Sequence, residues 1–225
     1  MTKSDLYTAV GLIMIILISV NLFISNENPK LNIKYMLRGY CYAGSQLNPG
    51  DLGGFWKSNN MPVNFPSFYI PKTKSIELIA YPEVKGDFES IEGKYEGLTL
   101  VLANPTDKDV KMSATDSRLS IVMQAKIEGE EWRNIEYSPR SWCGNSYHIV
   151  TLPANKAWVF IAPIYTGTIK TKLRFVLGEI TSNEFTGSIN KEQFTIKHND
   201  IHQHTIERIK ALQGHIPTSI LGPLR

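Results

Sequence analysis

Cysteine is scarce in this chain of 225 residues: Cys41 and Cys143 stand far apart, and no CxxC pair exists. That excludes zinc-ribbon and thioredoxin-type motifs. No HExxH helix supplies paired zinc ligands with a general base. Gly50, Gly53 and Gly54 lack the Lys-Ser/Thr ending of a phosphate-binding loop, so nucleotide chemistry has no motif to rest on. Charge is thin as well, with 20% charged residues and a net +3 spread along the chain. Nucleic-acid binding needs a concentrated basic face, and we expect no nucleic-acid partner. No cofactor signature is present, and we expect none.

What the chain has instead is one long apolar run, from Thr8 to Ser25, without a charged residue. It reaches the lower range of length for a helix crossing a bilayer. A cleaved signal peptide would have a shorter apolar core and small residues before the cut, whereas Val20, Asn21, Leu22, Phe23 and Ile24 close this one. A helix buried in a soluble core would show a polar face, and none appears before Asn21. We therefore expect residues 1–25 to be a short tail and a retained transmembrane anchor, with the membrane as a partner through Thr8–Ser25.

Orientation is read two ways. Lys30, Lys34 and Arg38 follow the run closely, and the positive-inside rule would keep the large domain in the cytoplasm. A short basic tail, an apolar helix and a large domain is equally the layout of exported, signal-anchored proteins. We expect the single-pass form with its C-terminal domain outside the cytoplasm, against the charge count.

Residues 26–73 form a juxtamembrane arm rich in loop chemistry. Asn48-Pro49-Gly50-Asp51 is a turn sequence, and Pro62, Pro66 and Pro71 break helices and favour extended backbone. Tyr35, Tyr40, Tyr42, Phe55, Trp56, Phe65, Phe68 and Tyr69 make it dense in aromatics. They either pack the arm on the next domain or present an aromatic surface.

From residue 74 to 197 the apolar period is two. Ile76, Leu78 and Ala80 share a face, as do Leu98, Leu100 and Leu102, with Thr99 opposite. Val110, Met112 and Ala114 follow, then Leu119, Ile121, Met123 and Ala125. Trp132–Tyr137 reads as one further strand and Tyr147–Leu152 as another. Trp158, Phe160 and Ala162 then alternate with Val159 and Ile161, and Thr171, Leu173, Phe175 and Leu177 carry the last clear strand. Alternation broken by turn residues about every ten positions predicts an antiparallel all-β domain, a Greek-key sandwich ahead of a closed barrel. Phe194 and Ile196 could complete the sheet.

The strand Leu98–Asn104, ending in Asn104-Pro105-Thr106 before another strand, resembles the B–C region of bacterial immunoglobulin-like or fibronectin-like modules. The resemblance is one of pattern over residues 74–197, and it implies an immunoglobulin-like sandwich. In residues 198–225, Asn199 or Asp200 can cap a short helix carrying Ile201, Thr205, Ile209 and Leu212, with Gly214 past its end and a tail beyond.

Three groups of residues could carry chemistry. Cys41 and Cys143 could form a disulfide tying arm to sandwich in an oxidising compartment. Cys143 with His148 suggests an activated thiol, but the pair is too close in sequence to assume geometry and no protease signature surrounds it. His198, Asp200, His202 and His204 could share a metal, since His198 and His202 stand one helical turn apart. Trp56, Trp132 and Trp142 could form an exposed aromatic surface, in one version a stacking platform for carbohydrate; Trp158, alternating with Phe160, belongs to the core. Together these observations predict a membrane-anchored β-sandwich acting as a non-catalytic binding module at the cell envelope, with a protein partner. A metal- or small-ligand-binding protein built on His198–His204, in one version a hydrolase, and a cytoplasm-facing regulatory module are the alternatives.

Overall fold

Two antiparallel sheets enclose one apolar core in a computed structural model of the chain. The structure describes residues 28–46, 50, 53–127, 131–141 and 143–196. The run Thr8–Ser25, Trp142 and the cluster His198–His204 with its helix lie outside the described residues. Among the described residues, no helix is long and apolar enough to cross a membrane.

The short strand β1 (Leu37–Arg38) lies in the arm. The first main sheet consists of β2 (Glu77–Ser90), β3 (Gly93–Asn104) and, after an intervening stretch, β9 (Lys156–Pro163), in the order β2-β3-β9. Between these come β4 (Val110–Thr115), β5 (Val122–Lys126), β6 (Trp132–Asn134), β7 (Glu136–Tyr137) and β8 (Tyr147–Leu152). Three strands close the series: β10 (Ile169–Leu177), β11 (Ile180–Thr181) and β12 (Phe185–Ile189). The second sheet runs β11-β10-β5-β6, and β12 also pairs with β10. β4 and β8 form a separate antiparallel pair.

The predicted all-β class is what the structure has. Its core comes from the predicted inward faces: Leu98, Leu100 and Leu102 of β3, Trp158, Phe160 and Ala162 of β9, and Leu173, Phe175 and Leu177 of β10. The opposite face of β3 is buried too. Thr99, Val101 and Ala103 point away from the main core yet are shielded from solvent. Val101 and Ala103 join Ile79, Ala157 and the arm residue Tyr69 in a second apolar cluster, with Phe65 packed against it.

Two local expectations differ from the structure. Trp132–Tyr137 is not one strand but two, because Trp132–Asn134 pairs with β5 whereas Glu136–Tyr137 runs parallel to β1. Phe194 does not extend the sheet. It closes a short 3₁₀ turn, Lys191–Phe194, whose start is fixed by a reciprocal capping box between Asn190 and Gln193. The arm is packed on the domain, one of the two readings of its aromatic-rich sequence: Leu31, Ile33, Cys41 and Ala43 are members of the main core.

The Asn104-Pro105-Thr106 turn is stapled through a wholly buried Asn104. Its Nδ2 donates to the carbonyls of Lys108, Leu152 and Pro153, and its Oδ1 accepts from the Thr106 amide and hydroxyl. The turn is thereby locked to the end of β8. In β2, a register shift between Tyr81 and Lys85 pushes Pro82–Val84 out of the ladder.

Candidate functional site

The arm crosses the domain in two passes, and each is held by a carboxylate. On the first pass, Leu31 forms a bridge with Tyr165 and β1 lies along β7. Here Glu136, 1% exposed, accepts hydrogen bonds on Oε1 from the Tyr40 hydroxyl at 2.8 Å and the Tyr165 hydroxyl at 2.7 Å. Its Oε2 accepts the Met123 amide at 2.9 Å. Burial raises the Glu136 carboxyl to about 7, even though the bonds from Tyr165, Tyr40 and Met123 favour its charged form. Burial first, and the nearby Glu136 next, push the Cys41 thiol well up, so it is kept protonated and unreactive.

The second pass begins at Phe55, whose ring stacks on His148 with centroids 3.6 Å apart and planes 7° from parallel. The His148 Nε2 faces the Ser117 hydroxyl at 3.3 Å, and its Nδ1 faces the Ser146 carbonyl at 3.4 Å. Ser117 in turn donates to the Trp56 carbonyl and accepts the Ser58 amide. Asp116 and Ser117 both hold positive φ, 50° and 61°, which aims the Ser117 hydroxyl at the arm. His148 is thus part of a clamp on the arm backbone.

Past this clamp the arm runs along the free edge of β9. Asn60 Nδ2 bonds the carbonyls of Tyr42 and Val159, and Val63 exchanges two backbone hydrogen bonds with Ala157. Phe65 and Tyr69 then fold onto the outer face of the first sheet, with Phe68 edge-on to Tyr81. The Glu77 carboxylate ends the pass. It accepts the Tyr69 hydroxyl at 2.8 Å, the Lys72 amide at 2.9 Å and the Thr73 amide at 2.5 Å.

The backbone is fixed, but several side chains point outward. Trp56 is 57% exposed and Ile70 75%, and Met61, Val63 and Phe68 are exposed between them. Among the described residues these are five of the eight exposed large apolar side chains, the others being Ile91, Tyr147 and Ile169. Between Asp51 and Glu77 the sequence has no acidic residue, and Lys57, Lys72 and Lys74 supply its charge. The result is an exposed, lysine-flanked apolar stretch on a backbone held at both ends.

The predicted site residues fare differently. Cys41 is buried (1% exposed) and Cys143 exposed, and both are free thiols, so the expected crosslink is not formed in this structure. Trp56 is on the apolar face. Trp132 is half-buried with the Arg174 guanidinium 4.2 Å from its ring centroid, so a cation occupies one face of the indole. Trp158 is fully buried, its Nε1 donating to the Gly44 carbonyl at 2.9 Å. Among the described residues, no group of three His, Cys, Asp or Glu could hold a metal. Met61, Val63 and Ile70 were not foreseen as exposed, whereas Phe68 was among the arm aromatics read as packed or surface-forming. The local signal for them was the missing acid between Asp51 and Glu77, alongside apolar residues that follow no period.

No family model matches this chain, and no curated protein or solved structure matches it either.

Proposed function

We propose that this chain is a membrane-tethered, immunoglobulin-like binding module, without chemistry of its own, that presents the apolar face of its arm to a protein partner. The observation that carries this is the concentration of exposed apolar side chains within residues 56–70 on a backbone pinned at both ends. Exposed apolar groups on a rigid support mark interaction sites more often than packing accidents. The sheet order supports the immunoglobulin-like part. β2-β3-β9 corresponds to strands A-B-E, and β6-β5-β10 with β12 to C′-C-F-G.

Position on the fold favours a protein over the tethering bilayer. The first described residues stand at one end of the first sheet, where Pro29 accepts the Glu96 amide. Val63 joins Ala157, which faces Ala103 at the other end. Ala103 is seven residue steps along β3 from Glu96, roughly 23 Å at strand spacing. The face therefore lies away from the end that follows Thr8–Ser25. Its lysines suit a partner with an apolar centre and an acidic rim. We place the domain outside the cytoplasm, on the layout of signal-anchored proteins; protease protection in intact cells checks the side.

The test is photo-crosslinking in the native membrane from probes replacing Trp56 and Ile70, with Ile91 as the control position. Both arm positions should trap one and the same protein, competed by unlabelled chain and lost when Val63→Glu is added. Equal capture from Ile91, or a different set of proteins from each arm position, would sink the reading.

A further inference from the structure

A concave feature lies at the opposite end of the first sheet from the exposed arm segment. The register shift in β2 moves Pro82–Val84 aside and opens a cleft of about 490 Å³ between β2 and the edge strand β12. That volume is in the range of small-molecule sites. Leu98 and Leu173, both buried, line the cleft with Ile164 and Phe185. Gly187 of β12 lets the strand lie close over this lining, because a Cβ there would meet Leu173 Cδ1 at 2.4 Å. This apolar part of the lining is joined by cations.

Lys30 from the arm, Lys85 from β2 and Lys170 from β10 line the same cleft. Lys85 is paired with Glu96 at 2.9 Å. Lys30 and Lys170 are exposed and make no ion pair among the described residues. Two uncommitted ammonium groups beside an apolar lining match one ligand chemistry, an apolar chain ending in an anion. A neutral apolar ligand leaves the lysines unused, and a small inorganic anion leaves the lining unfilled.

We propose that this cleft binds a single-chain anionic lipid, its acyl chain against Leu98, Leu173 and Phe185 and its headgroup between Lys30 and Lys170. A free fatty acid and a lysophospholipid present the same chemistry. Lys30 is five positions past Ser25, so in the tethered chain the cleft mouth stands near the end of the apolar run. The cleft chemistry stands without the tether; only supply from the bilayer rests on it.

The experiment uses the full chain in phosphatidylcholine nanodiscs and two diazirine-bearing probes, laurate added as monomer and lysophosphatidic acid placed in the bilayer. Label should concentrate on peptides containing Leu98, Ile164 and Phe185. It should fall about tenfold or more in the double variant Lys30→Ala/Lys170→Ala, as expected for lost charge-assisted bonds. Thr186→Trp, at an exposed cleft position, should block labelling while leaving the charges in place. Labelling by only one probe supports the site and identifies the source. Scattered label, label unchanged in both variants, or equal label from an uncharged diazirine dodecanol overturns the proposal. A chain that fails to co-purify with nanodiscs refutes the tether instead, and the laurate arm then decides the cleft alone.

Discussion

Glu136 and Glu77 do the same job at two ends of the arm, yet their carboxyls move in opposite directions. Each accepts a tyrosine hydroxyl and main-chain amide, and Glu136 accepts a second tyrosine. Counting donors alone would put both carboxyls low. Glu136 instead sits inside the core, where loss of water outweighs its three bonds and raises it to about 7. Glu77, 8% exposed, is at the rim. Desolvation pushes it up as well, but the bonds from Tyr69, Thr73 and Lys72 outweigh it and hold the group below its ordinary value. The sign follows from the balance of the two effects, with deeper burial at Glu136 and one more amide donor at Glu77.

The comparison breaks most visibly at Glu136. Glu136→Ala strands two tyrosine hydroxyls and an amide in the core, and should cost about 3–5 kcal/mol. Denaturant unfolding of the full chain in mild detergent, followed by tryptophan fluorescence, measures this. Alkylation of Cys41 under native conditions should quicken at the same time, because that buried thiol is next to Tyr40 on the first pass. A loss below about 1 kcal/mol with Cys41 still protected would show that the first pass is held by apolar packing alone.

Titration gives the next effect. A folded-state value of about 7, against 4.5 for the free group, means that the folded protein binds this proton more tightly. The stability linked to it is fully present below about pH 4.5 and is lost as pH rises to about 7. The loss amounts to about 3 kcal/mol. Glu136→Gln has no such proton, so the difference between wild type and variant should change by that amount across the window. A difference that stays flat with pH would contradict the buried-carboxyl account.

How far the sequence foretells these sites follows from what alternation can encode. The period-two pattern located the inward residues of β3, β9 and β10, because a sheet face reports its burial through every second side chain. It could not show that Val101 and Ala103 are covered by Tyr69 and Phe65, since the covering arm follows no period. Glu136 was hidden for the same reason. Ile135, Glu136 and Tyr137 are all buried, because β1 of the arm covers the side that alternation would leave to solvent. The cleft depends on the β2 register shift, for which Pro82 is the only local hint.

Smaller changes sharpen the contrast within the Glu136 site. Tyr165→Phe or Tyr40→Phe removes one of two hydroxyls from Oε1 and should cost about 1–2 kcal/mol. Both bonds favour the charged carboxylate, so either variant should also move the Glu136 transition to higher pH. A transition that moves to lower pH would mean that the hydroxyls stabilise the neutral acid instead.

The smallest effect belongs to Glu77, and its sign is opposite. A carboxyl held below 4.5 in the folded state contributes stability above about pH 4.5 and loses it as pH falls through the folded value. Glu77→Gln should therefore cost about 1 kcal/mol at pH 7, where the charged acceptor is lost, and less in acid, where wild type is itself protonated. The two glutamine variants thus diverge from wild type in opposite directions as pH rises, Glu77→Gln losing ground and Glu136→Gln gaining it. Unfolding titrations of both from about pH 2.5 to 7 test this directly, Glu77→Gln changing below about pH 4.5 and Glu136→Gln between about pH 4.5 and 7. If both drift the same way, this balance is not what separates the two ends of the arm.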